Sequence, residues 1–139
     1  MTALRRISAQ PTWLLSRANL RAQQILHDAF AREGVRPYHF RLLAAIDEFG
    51  PASQADLGRR TGIDRSDIVA AVNGLVAGRL ISREPDPDDR RRNVIAITAR
   101  GVETLDRLDA VLATVQDAVV QPLSERERAT LVRLLAKLG

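Results

Sequence analysis

The sequence predicts a mainly α-helical chain that carries one small β-hairpin. Apolar residues recur at three- and four-residue steps through most of its 139 residues, the period of amphipathic helices. Two short runs, Leu80–Glu84 and Asn93–Thr98, abandon that period and read as strands. Proline and glycine punctuate the remainder into separate helical segments. The length suits a single domain, 1–139. At 45% hydrophobic and 27% charged, the chain has the composition to bury an ordinary core.

The first helix is expected from Thr12 to Ala31, behind Pro11, with Trp13, Leu14, Ala18, Ile25, Leu26, Ala29 and Phe30 as its apolar positions. Gly34 and Pro37 end it. The second runs from Tyr38 to Phe49 and stops at Gly50-Pro51. Ser53-Gln54-Ala55-Asp56 then fits the capping pattern of a serine followed three residues later by an acid, and opens a short helix ending at Gly62. Asp64 is expected to cap the next helix, from Arg65 to about Gly78, with Ile68, Val72, Leu75 and Val76 turned inward. Two short helices joined by the Gly-bearing turn Thr61-Gly62-Ile63 describe a helix-turn-helix.

Between the two expected strands lies Pro85-Asp86-Pro87-Asp88-Asp89-Arg90-Arg91-Arg92, too polar for a core and therefore an exposed hairpin tip. A helix-turn-helix followed by a β-hairpin is a winged helix, placed here at about 36–100. After Thr98 and Gly101 the helical period returns: Leu105, Leu108, Leu112, Val115 and Val119 form a packed seam, broken at Pro122. Ser124-Glu125-Arg126-Glu127 is a capping box, and Leu131, Leu134, Leu135 and Leu138 line the last helix. The flanking segments, 12–34 and 101–139, are expected to be dimerisation helices, because so short a chain has limited core for both leucine faces. Packing within one chain is the competing reading.

Composition closes several functional classes. The absence of cysteine excludes disulfides, thiolate metal sites and cysteine nucleophiles. Two histidines, His27 and His39, leave little for a metal centre or a Ser-His-Asp triad. No carboxylate pair at catalytic spacing and no Gly-rich phosphate loop is evident, so no enzyme activity, cofactor or metal is expected. No apolar run approaches about 18 residues and no leader opens the chain, which predicts a cytoplasmic protein without a membrane partner. The net charge is +4, with a pI near 10.8. Only Lys137 among the 21 basic residues is not arginine. A GC-rich coding sequence explains that skew without function, yet the guanidinium fork also suits phosphate and guanine.

At the wing the residues resemble a known family. Asp86-Pro87-Asp88-Asp89-Arg90-Arg91, followed by Val94-Ile95-Ala96-Ile97-Thr98-Ala99-Arg100-Gly101, is similar to the wing signature of the multiple antibiotic resistance regulator (MarR) family, an acidic tip with Asp-x-Arg, a strand, and Leu-Thr-x-x-Gly. Ser53-Gln54-Ala55-Asp56-Leu57 and Thr61-Gly62-Ile63-Asp64-Arg65-Ser66 resemble its helix-turn-helix, and the likeness covers essentially the whole chain. It implies a homodimeric winged-helix transcription regulator, a repressor bound to a pseudo-palindromic double-stranded operator and released by a small, often aromatic, effector. Family members that sense oxidants use cysteine, which this chain lacks.

Under that resemblance the recognition helix enters the major groove by its N-terminal turn. Arg65 is the first candidate for a base contact, since arginine can donate twice to guanine O6 and N7. The alternative is an arginine paired with Asp64 or Asp67. Ser66 suits a phosphate or a base edge; Val69, Ala70 and Asn73 follow on the same outward face, and Asn73 suits adenine. Ser53 and Gln54 open the preceding helix, whose free N–H groups can bind phosphate, although Ser53 is also its cap. Arg59 and Arg60 either add phosphate contacts or face water. Arg91 holds the wing position implied to enter the minor groove, Asp89 braces it or a nearby arginine, and Arg90 and Arg92 add phosphate attraction; a solvated charge run is the competing reading. The family's ligand site lies between the dimer helices and the winged domain, where Trp13, Arg17, Tyr38 and His39 offer a ring, a cation and hydrogen-bond partners. Interface packing for Trp13 and an ordinary polar role for His39 compete with that reading.

The sequence departs from the family pattern in two places. Ala77-Gly78-Arg79-Leu80 stands where small-basic-Gly-Leu is usual, so the recognition helix is expected to end one residue early. Asp67 and Gly74 stand where a hydroxyl residue and a basic or polar residue are common. A winged-helix protein-interaction module that binds no specific DNA is the alternative function, but such a module has no need of Arg90-Arg91-Arg92 at its tip.

Overall fold

The structure, a computed structural model, describes residues 4–139. In those residues the chain runs α1 (Pro11–Arg32), α2 (Pro37–Phe49), α3 (Gln54–Thr61), α4 (Arg65–Ala77), β1 (Ile81–Pro85), β2 (Asn93–Ile97), α5 (Ala99–Val119) and α6 (Glu125–Leu138). This is the expected winged helix-turn-helix with helices on either side. The chain divides into two compact units: Phe30–Val111, and the residues up to Ala29 together with Leu112–Gly139.

The Phe30–Val111 unit is built on an apolar centre shared by α2, α3, α4 and the hairpin, with Leu42, Leu43, Leu57, Val72 and Ile95 fully buried. Pro37 sits in the first turn of α2, where its missing N–H leaves no bond unmade. The helix ends at Gly50, in a positive-φ conformation (φ 83°) with its N–H donated to the Ile46 carbonyl. Ser53 caps α3 by accepting from the Asp56 N–H at 3.2 Å. Gly62 adopts the left-handed conformation, φ 68°, that lets the chain reverse into α4. Asp64 holds the N-cap position of α4, but its side chain makes no capping bond. Its expected role is therefore corrected to a positional one.

The inward face of α4 is Ile68, Ala71, Val72 and Leu75, with Val76 half-buried. The helix does not close on Gly78, which stays right-handed. The left-handed residue is Arg79, at φ 61°. Arg79 N–H donates to Val76 O at 3.0 Å and Leu80 N–H to Leu75 O at 2.9 Å, the paired closure of a Schellman motif. Exchange of the usual basic-Gly order has thus put an arginine where a glycine fits best.

The wing pairs β1 with β2 antiparallel, with Ile81 opposite Ile97, Arg83 opposite Ile95 and Pro85 opposite Asn93. Leu80 and Thr98, expected inside the strands, instead form the corner beneath them. Thr98 accepts from the Gly101 N–H at 3.0 Å and donates to the Arg79 carbonyl at 2.7 Å, so it caps α5 and ties its start to the end of α4. Gly101 lies inside the first turn of α5, where a Cβ would overlap the Leu80 carbonyl oxygen and lie 2.7 Å from Ile97 Cγ1. Only glycine allows that approach. A further bridge was not legible in advance: Ala52 and Ile95 exchange both backbone hydrogen bonds, at 3.1 and 2.8 Å, pinning the wing to the segment before α3.

In the other unit, Arg21 of α1 donates to the Val119 and Ala118 carbonyls at 2.9 and 3.2 Å, satisfying the C-terminal end of α5. Ser124 and Glu127 form the expected reciprocal capping box of α6, and the Ser124 bonds hold the Glu127 carboxyl below its usual range. Leu14, Leu15 and Leu20 of α1 and Leu134, Leu135 and Leu138 of α6 are exposed.

Candidate nucleic-acid interface

An α-helix that buries one stripe must offer the opposite stripe to whatever lies outside. In α4 the buried set places Arg65, Ser66, Val69, Ala70 and Asn73 together on the outer face, all exposed. Among the described residues no carboxylate oxygen lies within 4.0 Å of the Arg65 guanidinium, so the pairing with Asp64 or Asp67 is not made. A shallow groove of about 640 Å³ between α3 and α4, lined by Ala55, Gly58, Ile63, Arg65 and Ile68, keeps the first turn of α4 accessible. Gln54 opens α3 half-buried, and Ser53 is engaged as its cap.

Asn73 is not free. Its Oδ1 accepts a 2.9 Å hydrogen bond from Nη1 of Arg83 on β1, a residue that sequence reasoning did not single out. The partners lie ten residues apart across an end-of-helix turn, so only the fold could join them.

At the wing tip Asp89 Oδ1 accepts from both the backbone N–H and Nε of Arg91, at 3.1 and 3.2 Å. The carboxylate holds the Nε edge of the Arg91 guanidinium, while the side chain stays 91% exposed to solvent. Asp86 accepts from the Asp88 N–H at 2.9 Å, an Asx turn that shapes the tip. Arg90 is exposed, as expected. Arg92 turns back, with Nη2 3.9 Å from Asp56 Oδ2 on α3. Asp56 also pairs with Arg59. A hydrogen bond from Ser53, then the Arg59 and Arg92 guanidiniums, hold the Asp56 carboxyl below the usual carboxylate range. Asp56 is therefore a hub between the first turn of α3 and the wing, and part of the charge of Arg59 and Arg92 is already balanced.

The four residues considered for ligand recognition fall in different units. Trp13 and Arg17 are brought together on α1, with the guanidinium carbon 5.9 Å from the ring centroid. In the Phe30–Val111 unit, Tyr38 is exposed beneath Arg41 at the same distance. His39 is half-buried, and its ring sits 3.7 Å from where a Cβ on Gly74 would be. Burial, and then the neighbouring charge of Arg36, lower the His39 pKa. The bare Gly74 is thus where the recognition helix receives a histidine of α2. No helix among the described residues is long and apolar enough to cross a membrane.

A sequence profile described as the MarR family matches residues 33–92. The HTH-type transcriptional repressor NicR of Pseudomonas putida is 29% identical over 132 residues, covering 95% of this chain and 84% of that protein. The crystal structure of a probable transcriptional regulator from Pseudomonas aeruginosa superimposes with a TM-score of 0.84 at 32% identity, over 96% of this chain and 99% of that one. Bordetella bronchiseptica BpsR, whose DNA binding is regulated by 6-hydroxynicotinic acid, superimposes with a TM-score of 0.82 at 26% identity, over 95% and 94% of the two chains.

Proposed function

The chain belongs to the MarR family of transcription regulators, and from that membership we propose that it is a homodimeric, sequence-specific DNA-binding repressor released by a small aromatic ligand. The observation that carries this reading is the wing: Asp89 holds Arg91 by two bonds while the guanidinium stays in solvent, on a hairpin that directly follows an exposed recognition helix. A protein-binding wing has no need to brace an exposed arginine. Minor-groove insertion does, because a narrow A·T-rich groove concentrates negative potential.

In this reading Arg65 and Ser66 enter the major groove, with Val69 and Ala70 against thymine methyls or the groove wall. Asn73 completes that face. Ser53 and Gln54 place the start of α3 near a phosphate, and Arg90, Arg91, Arg92 and Asp89 form the wing contact. The exposed leucines of α1 and α6 support pairing with a second copy through 12–34 and 101–139, and the winged-helix core spans about 36–100 of a single 1–139 domain. For the effector, BpsR points to an aromatic carboxylic acid. Trp13, Arg17, Tyr38 and His39 supply the ring, cation and hydrogen-bonding groups such a molecule requires. A cytoplasmic location follows from the same role.

The test is fluorescence-anisotropy binding of the purified protein to fragments from its own promoter region, against scrambled competitor and across salt. Competitor-resistant binding at two protomers per site, weakened by aromatic acids that also quench Trp13, is the expected result. Sequence-blind binding at every salt concentration refutes the specific-regulator reading.

A further inference from the structure

Past its first turn, the outer face of α4 carries little polarity. Val69 and Ala70 are apolar, so Asn73 is the polar group there, and its Oδ1 accepts from Arg83 at 2.9 Å. Arg83 stands opposite Ile95 in the hairpin and two residues after Ile81. Alternation along a strand therefore puts it on the hairpin face that carries those two buried residues, and Glu84 on the other. From that inner face the side chain runs out beside α4 to Asn73.

The charge environment is different from that of the neighbouring arginines. Arg59, Arg91 and Arg92 each face a carboxylate. Among the described residues no carboxylate oxygen lies within 4.0 Å of the Arg83 guanidinium. It is held by a neutral amide, which fixes direction without balancing charge, and it keeps further N–H donors for another acceptor. Asn73 lies eight residues after Arg65, about 12 Å along the helix axis. A recognition helix inserted by its N-terminal end has there risen toward the phosphate backbone. Reading adenine would require both ends of the Asn73 amide, its oxygen for N6–H and its nitrogen for N7, and one of that oxygen's two lone pairs already accepts from Arg83, whose guanidinium lies against it.

We propose that Arg83 is a phosphate-contact residue of the operator complex, and that Asn73 is its positioning residue and not a base reader. This rests on the DNA-binding reading above. The experiment uses the full chain with its promoter fragment and a scrambled fragment, each titrated across salt. Arg83→Ala is expected to weaken both complexes alike, by about tenfold or more, and to reduce the slope of log K against log salt by about one. Arg83→Lys, which keeps the charge, should retain the slope. Asn73→Ala should give a smaller, sequence-blind loss that is absent when Arg83 is already alanine. Arg83 and Asn73 are exposed, and a merely structural effect on the wing would not lower the salt slope in the alanine variant while leaving it intact in the lysine variant.

Wild-type affinity and slope in Arg83→Ala overturn the phosphate contact. Relaxed preference at one base pair per half-site in Asn73→Ala overturns its positioning role and makes it a reader. If the wild-type chain binds neither fragment, the DNA-binding reading fails and this proposal with it; if the wild type binds and Arg83→Ala binds equally, only this proposal fails.

Discussion

Replacing Gly101 by alanine tests the packing that joins the recognition helix to the wing. The added methyl would overlap the Leu80 carbonyl oxygen and lie 2.7 Å from Ile97 Cγ1. The carbonyl cannot yield alone. Leu80 O accepts from the Thr98 N–H at 3.1 Å, and the adjoining Arg79 O accepts from the Thr98 hydroxyl at 2.7 Å. Overpacking of this kind costs about 1–3 kcal/mol, and weakening those two bonds adds about 1 kcal/mol each. The better helix propensity of alanine offsets about 1 kcal/mol. The net loss is about 3 kcal/mol, which at a urea m-value of about 2 kcal/mol/M lowers the unfolding midpoint by roughly 1.5 M. The assay is urea unfolding followed by circular dichroism at one fixed protein concentration, because the midpoint of the proposed dimer would depend on it. Gly74→Ala is the internal contrast: its methyl meets only the His39 ring at an ordinary 3.7 Å, so it should gain about 0.5–1 kcal/mol from propensity. A midpoint for Gly101→Ala within about 0.25 M of wild type would refute the reasoning.

Other perturbations address separate links. Arg79→Gly should stabilise by about 0.5–1 kcal/mol, the left-handed strain relieved less the backbone entropy of glycine; an unchanged or lowered urea midpoint contradicts it. Arg91→Ala should weaken cognate and scrambled DNA alike by roughly 1–2 kcal/mol and flatten the salt slope, and an unaltered salt titration removes Arg91 from the minor groove. Arg65→Ala should instead cost about 1–3 kcal/mol and relax preference at one base pair per half-site, which an operator-substitution series reads directly. The lowered His39 pKa means that the unfolded chain takes the proton first. Stability is then full above about pH 6.5 and declines as pH falls from there toward the folded value. His39→Gln should lose part of that decline between pH 7.5 and 5.5, and an identical decline in the variant counts against it.

What the sequence determined by itself was local. The helices follow from apolar spacing, and the α3 and α6 caps from a serine reaching an N–H three residues on. The Asp89–Arg91 brace joins neighbours two apart, and the hairpin tip is too polar to be buried. All of these are settled within a few residues, so the chain order displays them. The contacts that shape the candidate interface are not of that kind. Ala52 joins Ile95, Arg92 turns back to Asp56, and Arg83 takes the oxygen of Asn73. Asp64 shows the converse, a suitable capping residue whose side chain makes no capping bond. The departure Gly78-Arg79 was visible as letters, but its consequence was not. The Schellman closure, with Leu80 N–H on Leu75 O and Arg79 N–H on Val76 O, puts the left-handed conformation on Arg79. Propensity acts along the chain, whereas strand register and the partner of a long side chain are fixed only when distant segments pack, and tertiary structure alone decided those.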